Sequence, residues 1–278
     1  MAFKISFAAK SDLGLKRKIN EDSYCADEKI GLFMVLDGIG GHKAGEVASN
    51  LGLDTMKENV MRGLKGKSGT VTGEQDEGLS REAVVLNNSI ALANKVIYEV
   101  AHSREEYHGM GTTLASLLIG EKSVAIAHVG DSRIYLIRKN LIERLTEDHS
   151  LVMEQLRRGL INEEDAERSE MKNIITRALG AEENVHPTID ELVPAKDDIF
   201  LLCSDGLTDL VSDEEILNLL LENRQSLDRA CQHLIDQANA RGGKDNITTI
   251  LVNFQECPNK IFQYFFFIKQ WFQKSNVK

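Results

Sequence analysis

The residues Asp37-Gly38-Ile39-Gly40-Gly41-His42 place a carboxylate at the end of the apolar run Ile30 to Leu36 and follow it with backbone nearly bare of side chains. Glycine supplies both unusual φ values and room, so a turn of this kind lets an ion or a phosphate come close to the main chain. Four more aspartates share the pattern. Asp22 follows Arg17-Lys18-Ile19-Asn20-Glu21, and Asp131 lies in Gly130-Asp131-Ser132-Arg133 between two apolar runs. Asp205 follows Ile199 to Cys203 in Ser204-Asp205-Gly206-Leu207, and Asp245, with Asn246, opens the last run. Any one of them reads equally well as a turn residue. Carboxylates recurring at the ends of separate apolar runs, beside small residues, make an oxygen-rich set of the kind that Mg²⁺ and Mn²⁺ prefer. Two such cations sharing a carboxylate would activate a water near neutral pH and hold a phosphoryl group in line with it. Arg17 adds a planar fork of donors suited to two phosphate oxygens, although it also reads as a solvated member of Lys16-Arg17-Lys18. His42 could protonate a leaving alkoxide, or be only an exposed turn residue.

These side chains need rigid elements to hold them. Apolar runs at Lys4 to Ala9, Leu32 to Leu36, Thr113 to Ile119, Ser123 to Val129, Ser132 to Arg138, Ile199 to Cys203 and Asn246 to Phe254 read as strands. Apolar residues at helical spacing mark Ala44 to Leu64 and Arg81 to His102, with Lys65 to Gly78 between them as a mobile loop. Leu151 to Arg168, Ser212 to Glu222 and Leu227 to Arg241 complete the helices, Ser212 serving as N-cap and Asp213 as first-turn acid. Strands and helices are segregated, which favours a layered α+β domain over a doubly wound parallel sheet.

The chain has 278 residues, 42% of them hydrophobic, enough for a sizeable core in one large domain. With 33 basic against 43 acidic residues the net charge is −10, which leaves no broad footprint for nucleic acid. Cys25, Cys203, Cys231 and Cys257 show no CxxC spacing and read as reduced thiols of a cytoplasmic protein rather than a zinc site. Met1 to Lys10 alternates like a strand and lacks the pattern of a signal peptide.

Taken in order, the motifs RKINED (Arg17 to Asp22), DGIGGHKAGEVAS (Asp37 to Ser49), GTT (Gly111 to Thr113), GDSR (Gly130 to Arg133), LTEDHS (Leu145 to Ser150), ITRALG (Ile175 to Gly180), SDGL (Ser204 to Leu207) and DN (Asp245, Asn246) resemble those of the metal-dependent serine/threonine protein phosphatases of the type 2C class, in their compact bacterial form. The resemblance runs from about Ile5 to Phe254. It implies a β-sandwich of two antiparallel sheets with a helix pair on each outer face, a four-layer αββα arrangement, over residues 1–254. It implies two Mn²⁺ or Mg²⁺ ions bridged by Asp37, with the Gly38 carbonyl on one and Asp205 and Asp245 on the other. Glu21 and Asp22 would act mostly through water, Arg17 would bind the substrate phosphate, His42 would be the general acid, and Asp131 with Asp205 would hold a third, weaker ion. The activity implied is hydrolysis of phosphoserine and phosphothreonine in proteins, opposing a cytoplasmic kinase. A signalling scaffold that binds phosphoproteins or membrane with little turnover is the alternative. Lys139 to Gly180 would contain a flap beside the site, with the acidic run Glu163-Glu164-Asp165 as a solvated helix start.

Residues 255–278 depart from the compact form. Ile261 to Phe272 is rich in aromatics and flanked by lysines, too short to span a bilayer, which takes roughly 20 apolar residues, but suited to a membrane surface or a partner. A location at the inner face of the membrane would follow from the first of these. Packing back on its own domain is the plainer reading.

Overall fold

The computed structural model describes residues 3–40, 44–66, 78–162, 165, 166, 169, 171 and 173–256. His42, most of the loop expected after the first helix, Glu163-Glu164 and nearly all of the C-terminal tail lie outside the described residues.

One sheet runs β1 (Phe3–Asp12), β12 (Ile247–Glu256), β11 (Ile199–Cys203), β8 (Arg133–Arg138), β9 (Leu141–Arg144) in spatial order. The second runs β10 (Thr188–Leu192), β7 (Val124–Val129), β6 (Leu114–Ile119), β3 (Leu32–Leu36), β2 (Ser23–Asp27). Every pairing is antiparallel, and β4 (Gly38–Ile39) pairs with β5 (Gly111–Thr112) as a separate short ribbon. Three apolar clusters define the layers. Phe33, Val35, Ile134, Phe200, Leu202 and Val252 fill the space between the sheets. Leu36, Met56, Leu86, Ile90 and Ile97 join α1 (Ala44–Lys65) and α2 (Arg81–Ser103) to the outer face of the second sheet. Tyr135, Leu201, Ile216, Leu234 and Leu251 do the same for α5 (Asp213–Glu222) and α6 (Leu227–Ala240) on the first sheet. The expected four-layer α+β sandwich is therefore what the chain forms.

The described residues also include α3 (Leu151–Arg157), the single turn α4 (Asp205–Thr208) and a 3₁₀ turn (Glu105–Tyr107). Helix α5 starts as expected: Ser212 Oγ accepts from Glu215 N–H while Glu215 Oε2 accepts from Ser212 N–H, a reciprocal capping box. The helix expected over 151–168 is corrected, since it ends at Arg157. Arg158 N–H still reaches back to the Glu154 carbonyl, and Gly159 then adopts φ +68°, a left-handed position that stops the helix.

Register brings the aspartates together. Ser23 pairs with Leu36, so Asp22 and Asp37 lie side by side just beyond that ladder. Cys203 pairs with both Arg133 and Thr249, which aligns the end of β11 with the starts of β8 and β12. The turn from β7 to β8 passes from one sheet to the other and carries Asp131. All five aspartates thus come to one end of the sandwich. Cys25, Cys203 and Cys231 are buried free thiols, and no described helix is long and apolar enough to cross a membrane.

Candidate metal centre

Asp37 sits at the middle of the carboxylates. Its carboxyl feels the charges of Asp22, Asp205, Asp131 and Asp245. Its peptide is fixed independently. Thr113 Oγ1 accepts from Asp37 N–H at 3.0 Å, while Thr112 Oγ1 and Thr113 N–H both donate to the Asp37 carbonyl. Asp37 and Asp205 keep part of their surface open, but their carboxyl groups are set among protein atoms. Burial pushes the Asp37 carboxyl well above its usual range, and the charges of Asp22, Asp205, Asp131 and Asp245 push it further. Burial, then Asp131 and Asp245, does the same to Asp205.

Asp22 is 8% exposed and held by two hydroxyls, one just past the end of β11 and one in β12. Ser204 Oγ and Thr248 Oγ1 both donate to its Oδ2, at 2.8 and 2.6 Å. Burial still raises the Asp22 carboxyl to about 6. Asp131 is likewise raised to about 6, by burial first and by the charge of Asp148 second. A cluster so crowded is costly to ionise, and cations are the usual remedy.

The fit to hard cations can be tested on the oxygens themselves. Asp22 Oδ1, Asp205 Oδ1 and Glu21 Oε1 are buried and have no hydrogen-bond partner in the protein. Buried carboxylate oxygens rarely go unsatisfied, so these are donors directed at something the chain does not supply. Gly45 gives a second observation. A Cβ there would stand 2.8 Å from both Glu21 Oε1 and the Gly38 carbonyl oxygen, so these two oxygens face one small space that glycine keeps open. Among the described residues no three acidic, histidine or cysteine side chains converge closely enough to hold an ion unaided. A carbonyl such as that of Gly38, with water, would have to complete each shell, which is normal for Mg²⁺ and Mn²⁺. The donor set fits.

Arg17 lies at the mouth. Its Nη2 donates to Asp245 Oδ2 at 2.6 Å and its Nη1 is 3.9 Å from Glu21 Oε2, with the side chain 46% exposed. Of the expected site residues, Arg17, Glu21, Asp22, Asp37, Gly38, Asp131, Asp205 and Asp245 all come to this end, and His42 lies outside the described residues. The supporting residues Thr112, Thr113, Ser204, Thr248, Gly45 and Asn246 went unassigned in the sequence. Asn246 accepts from Glu21 N–H through Oδ1 and donates through Nδ2 to the carbonyls of Leu13 and Ile19, which fixes the strand-to-loop corner carrying Arg17. All but Thr248 stand inside one of the short motifs, the one signal that could have found them.

Thr248→Val keeps the shape of the side chain and removes one donor to a buried carboxylate. It is expected to lower stability at pH 7 by about 1–3 kcal/mol, read as a shift in denaturant midpoint at constant slope. An unchanged midpoint would show that Asp22 does not need that bond.

Comparison with known proteins agrees with this geometry. The family model described as Protein phosphatase 2C matches residues 9–247. The serine/threonine phosphatase stp of Listeria innocua is 38% identical over 246 residues, covering 87% of this chain and 93% of the relative. The protein phosphatase PhpP of Streptococcus pneumoniae is 34% identical over 249 residues, covering 88% and 96%. Among solved structures, the serine/threonine phosphatase PstP/Ppp of Mycobacterium tuberculosis superposes with a TM-score of 0.79 at 33% identity, covering 91% of this chain and 99% of that one. The catalytic domain of PstP in complex with two manganese ions gives a TM-score of 0.77 at 32% identity, covering 92% and 100%. The chain belongs to the protein phosphatase 2C family, and with it to the protein serine/threonine phosphatases.

Proposed function

We propose that the protein removes phosphate from phosphoserine and phosphothreonine in cytoplasmic proteins, against a serine/threonine kinase, at a binuclear Mn²⁺ or Mg²⁺ centre. The observation that carries this reading is the meeting of aspartates from both sheets in one cleft where Asp22, Asp205 and Glu21 each keep a buried oxygen without a protein partner. Asp37, the Gly38 carbonyl, Asp205 and Asp245 would hold the two ions. Glu21 and Asp22 would act through water, and Asp131 with Asp205 would hold a weaker third ion. The two manganese ions of the PstP complex support the stoichiometry. When bound, the cations supply Lewis-acid polarisation of the phosphoryl oxygens and an activated water.

The chain's own residues do the rest. Arg17 presents its fork at the mouth, where two phosphate oxygens of a substrate can accept from it. The hydroxyls of Thr113, Ser204 and Thr248 hold Asp37 and Asp22 in place, so the site is set before substrate arrives. His42 supplies the proton to the leaving seryl or threonyl oxygen.

The test is release of phosphate from an aryl phosphate and from a phosphothreonine peptide, with and without Mn²⁺. Turnover is expected only with the metal and is expected to be abolished in Asp205→Asn. Arg17→Ala is expected to raise KM for the peptide by about tenfold, about 1.4 kcal/mol of lost phosphate binding. No metal-dependent turnover, or an unimpaired Asp205→Asn protein, would reject the reading.

A further inference from the structure

Two buried histidines outside the carboxylate cluster face each other across the β7–β8 turn. The rings of His128 and His149 stack with centroids 4.6 Å apart at 25°. His128 is 3% exposed and His149 8%. Their hydrogen bonds fix their tautomers. Gly130 N–H can only donate, and its partner is His149 Nδ1 at 3.2 Å, so that nitrogen is bare and the ring hydrogen sits on Nε2. Nε2 then donates to Thr188 Oγ1 at 3.1 Å. Arg177 Nη1 lies 3.4 Å from the same nitrogen. Both atoms carry hydrogens, so this contact is the approach of a cation rather than a hydrogen bond. His128 Nε2 faces the Glu147 carbonyl at 2.8 Å and must donate to it.

The backbone of His149 adds to the connection. Its N–H donates to the Gly130 carbonyl at 2.9 Å, so the two residues are joined by a closed pair of bonds. Its carbonyl accepts from Thr176 N–H at 2.8 Å, which ties the far end of the 147–180 segment to the same point. Gly130 itself is packed on Thr113, since a Cβ there would stand 2.7 Å from Thr113 Cγ2. Thr113 in turn holds Asp37 N–H, and its hydroxyl is 2.7 Å from that of Ser132. Asp131 is therefore flanked by two residues that are both fixed, one by His149 and the other by Thr113.

We propose that His128 and His149 form a clip that fixes the Asp131 turn to the 147–180 segment, and that His149 is a positioning residue which orients the Asp131 carboxylate through the Gly130 peptide. Proton transfer plays no part in this role, because both nitrogens of His149 are already committed. The inference rests on the reading of Asp131 as a ligand of the weaker ion. Its consequence is a separation of duties: Asp22 and the Asp37 peptide are set by hydroxyls, whereas the Asp131 turn is set by an imidazole belonging to the 147–180 segment.

The test uses the full chain. Mn²⁺ binding is followed by calorimetry and turnover on a phosphothreonine peptide by phosphate release. His149→Phe keeps the stack but leaves Gly130 N–H without its acceptor. It is expected to weaken the weakest Mn²⁺ event and lower kcat by about tenfold each, with the tighter events and KM little changed. His149→Asn, whose Oδ1 can take the place of Nδ1, is expected to recover both to within about threefold. In an Asp131→Asn background His149→Phe is expected to cost nothing further, because the residue it positions is already lost. Equal damage from His149→Asn and His149→Phe, a further loss in the Asp131→Asn background, or a wild-type-like His149→Phe protein would overturn the clip. If circular dichroism shows His149→Phe to be unfolded, Thr188→Val decides. It frees the other end of the ring, and the same losses are expected at about threefold, absent again beside Asp131→Asn. No loss there overturns the proposal. A wild-type protein that binds no Mn²⁺ instead removes the metal reading beneath it, and the two failures cannot be confused.

Discussion

Asp37→Asn is expected to cut Mn²⁺-dependent phosphate release by about 10³-fold or more, some 4 kcal/mol of transition-state stabilisation, while making the metal-free protein more stable. Both halves come from the same crowding. Asp37 is buried and feels the charges of Asp22, Asp205, Asp131 and Asp245, so its own charge is opposed by burial and by each of them. An isosteric amide removes that opposition and keeps a hydrogen-bonding group. Relief of such functional strain typically stabilises by about 0.5–2 kcal/mol, which for a domain of this size raises the midpoint by about 1–8 °C. The same amide cannot bridge cations as a carboxylate does. Thermal unfolding in EDTA, beside phosphate release with Mn²⁺, measures the two effects together. A variant that lost activity and also metal-free stability would show Asp37 to be a structural residue.

Metal removal is expected to leave a protein that weakens as pH rises. Asp22 and Asp131 have carboxyl groups raised to about 6 from 3.8, and those of Asp37 and Asp205 are raised well above it, chiefly by burial. A raised carboxyl binds its proton more tightly in the folded chain than in the unfolded one. Its stabilising contribution is complete below about pH 3.8 and is lost as pH climbs through 6 and beyond. Glu215, held at about 2 by Arg241 and Ser212, has the opposite sign, but its contribution is complete above pH 4.5 and drops out of the window. His128 and His149, depressed by burial, gain stability as pH rises to about 6.5 and offset the carboxylates there. The EDTA-treated protein is therefore expected to lose stability between about pH 6.5 and 8.5, as Asp37 and Asp205 give up their protons. With saturating Mn²⁺ the trend is expected to reverse, because metal binding needs the ligands deprotonated. Urea midpoints across that range check both slopes. A flat metal-free profile would mean that the cleft carries its charges without strain.

The pattern of what the sequence disclosed has a physical basis. Asp37, Asp131, Asp205 and Asp245 stood out because each ends or opens a run of buried residues, and the change from apolar run to carboxylate is a local signal. Strands β2, β9 and β10 gave no such signal. They are edges of their sheets, and their residues are only partly covered, so Ser23–Asp27, Leu141–Arg144 and Thr188–Leu192 carry mixed polarity. The end of α3 was missed because Leu151, Val152, Leu156 and Leu160 continue a helical spacing past Gly159, where the backbone turns left-handed. Ser204 and Thr248 were invisible as supports of Asp22 because they lie 182 and 226 residues away in sequence and meet it only through the pairing of β11 with β12. The carboxylates were legible locally. The hydroxyls and imidazole that position them depend on the assembled sandwich.

The central claim is that Asp37 is the shared wall of a two-ion site, and low-temperature electron paramagnetic resonance of the protein loaded with two equivalents of Mn²⁺ measures that sharing. The account predicts the signal of an exchange-coupled manganese pair in the wild-type protein, replaced in Asp37→Asn by the signal of isolated ions. A wild-type spectrum of isolated ions only, or a coupled pair that survives Asp37→Asn, would contradict it.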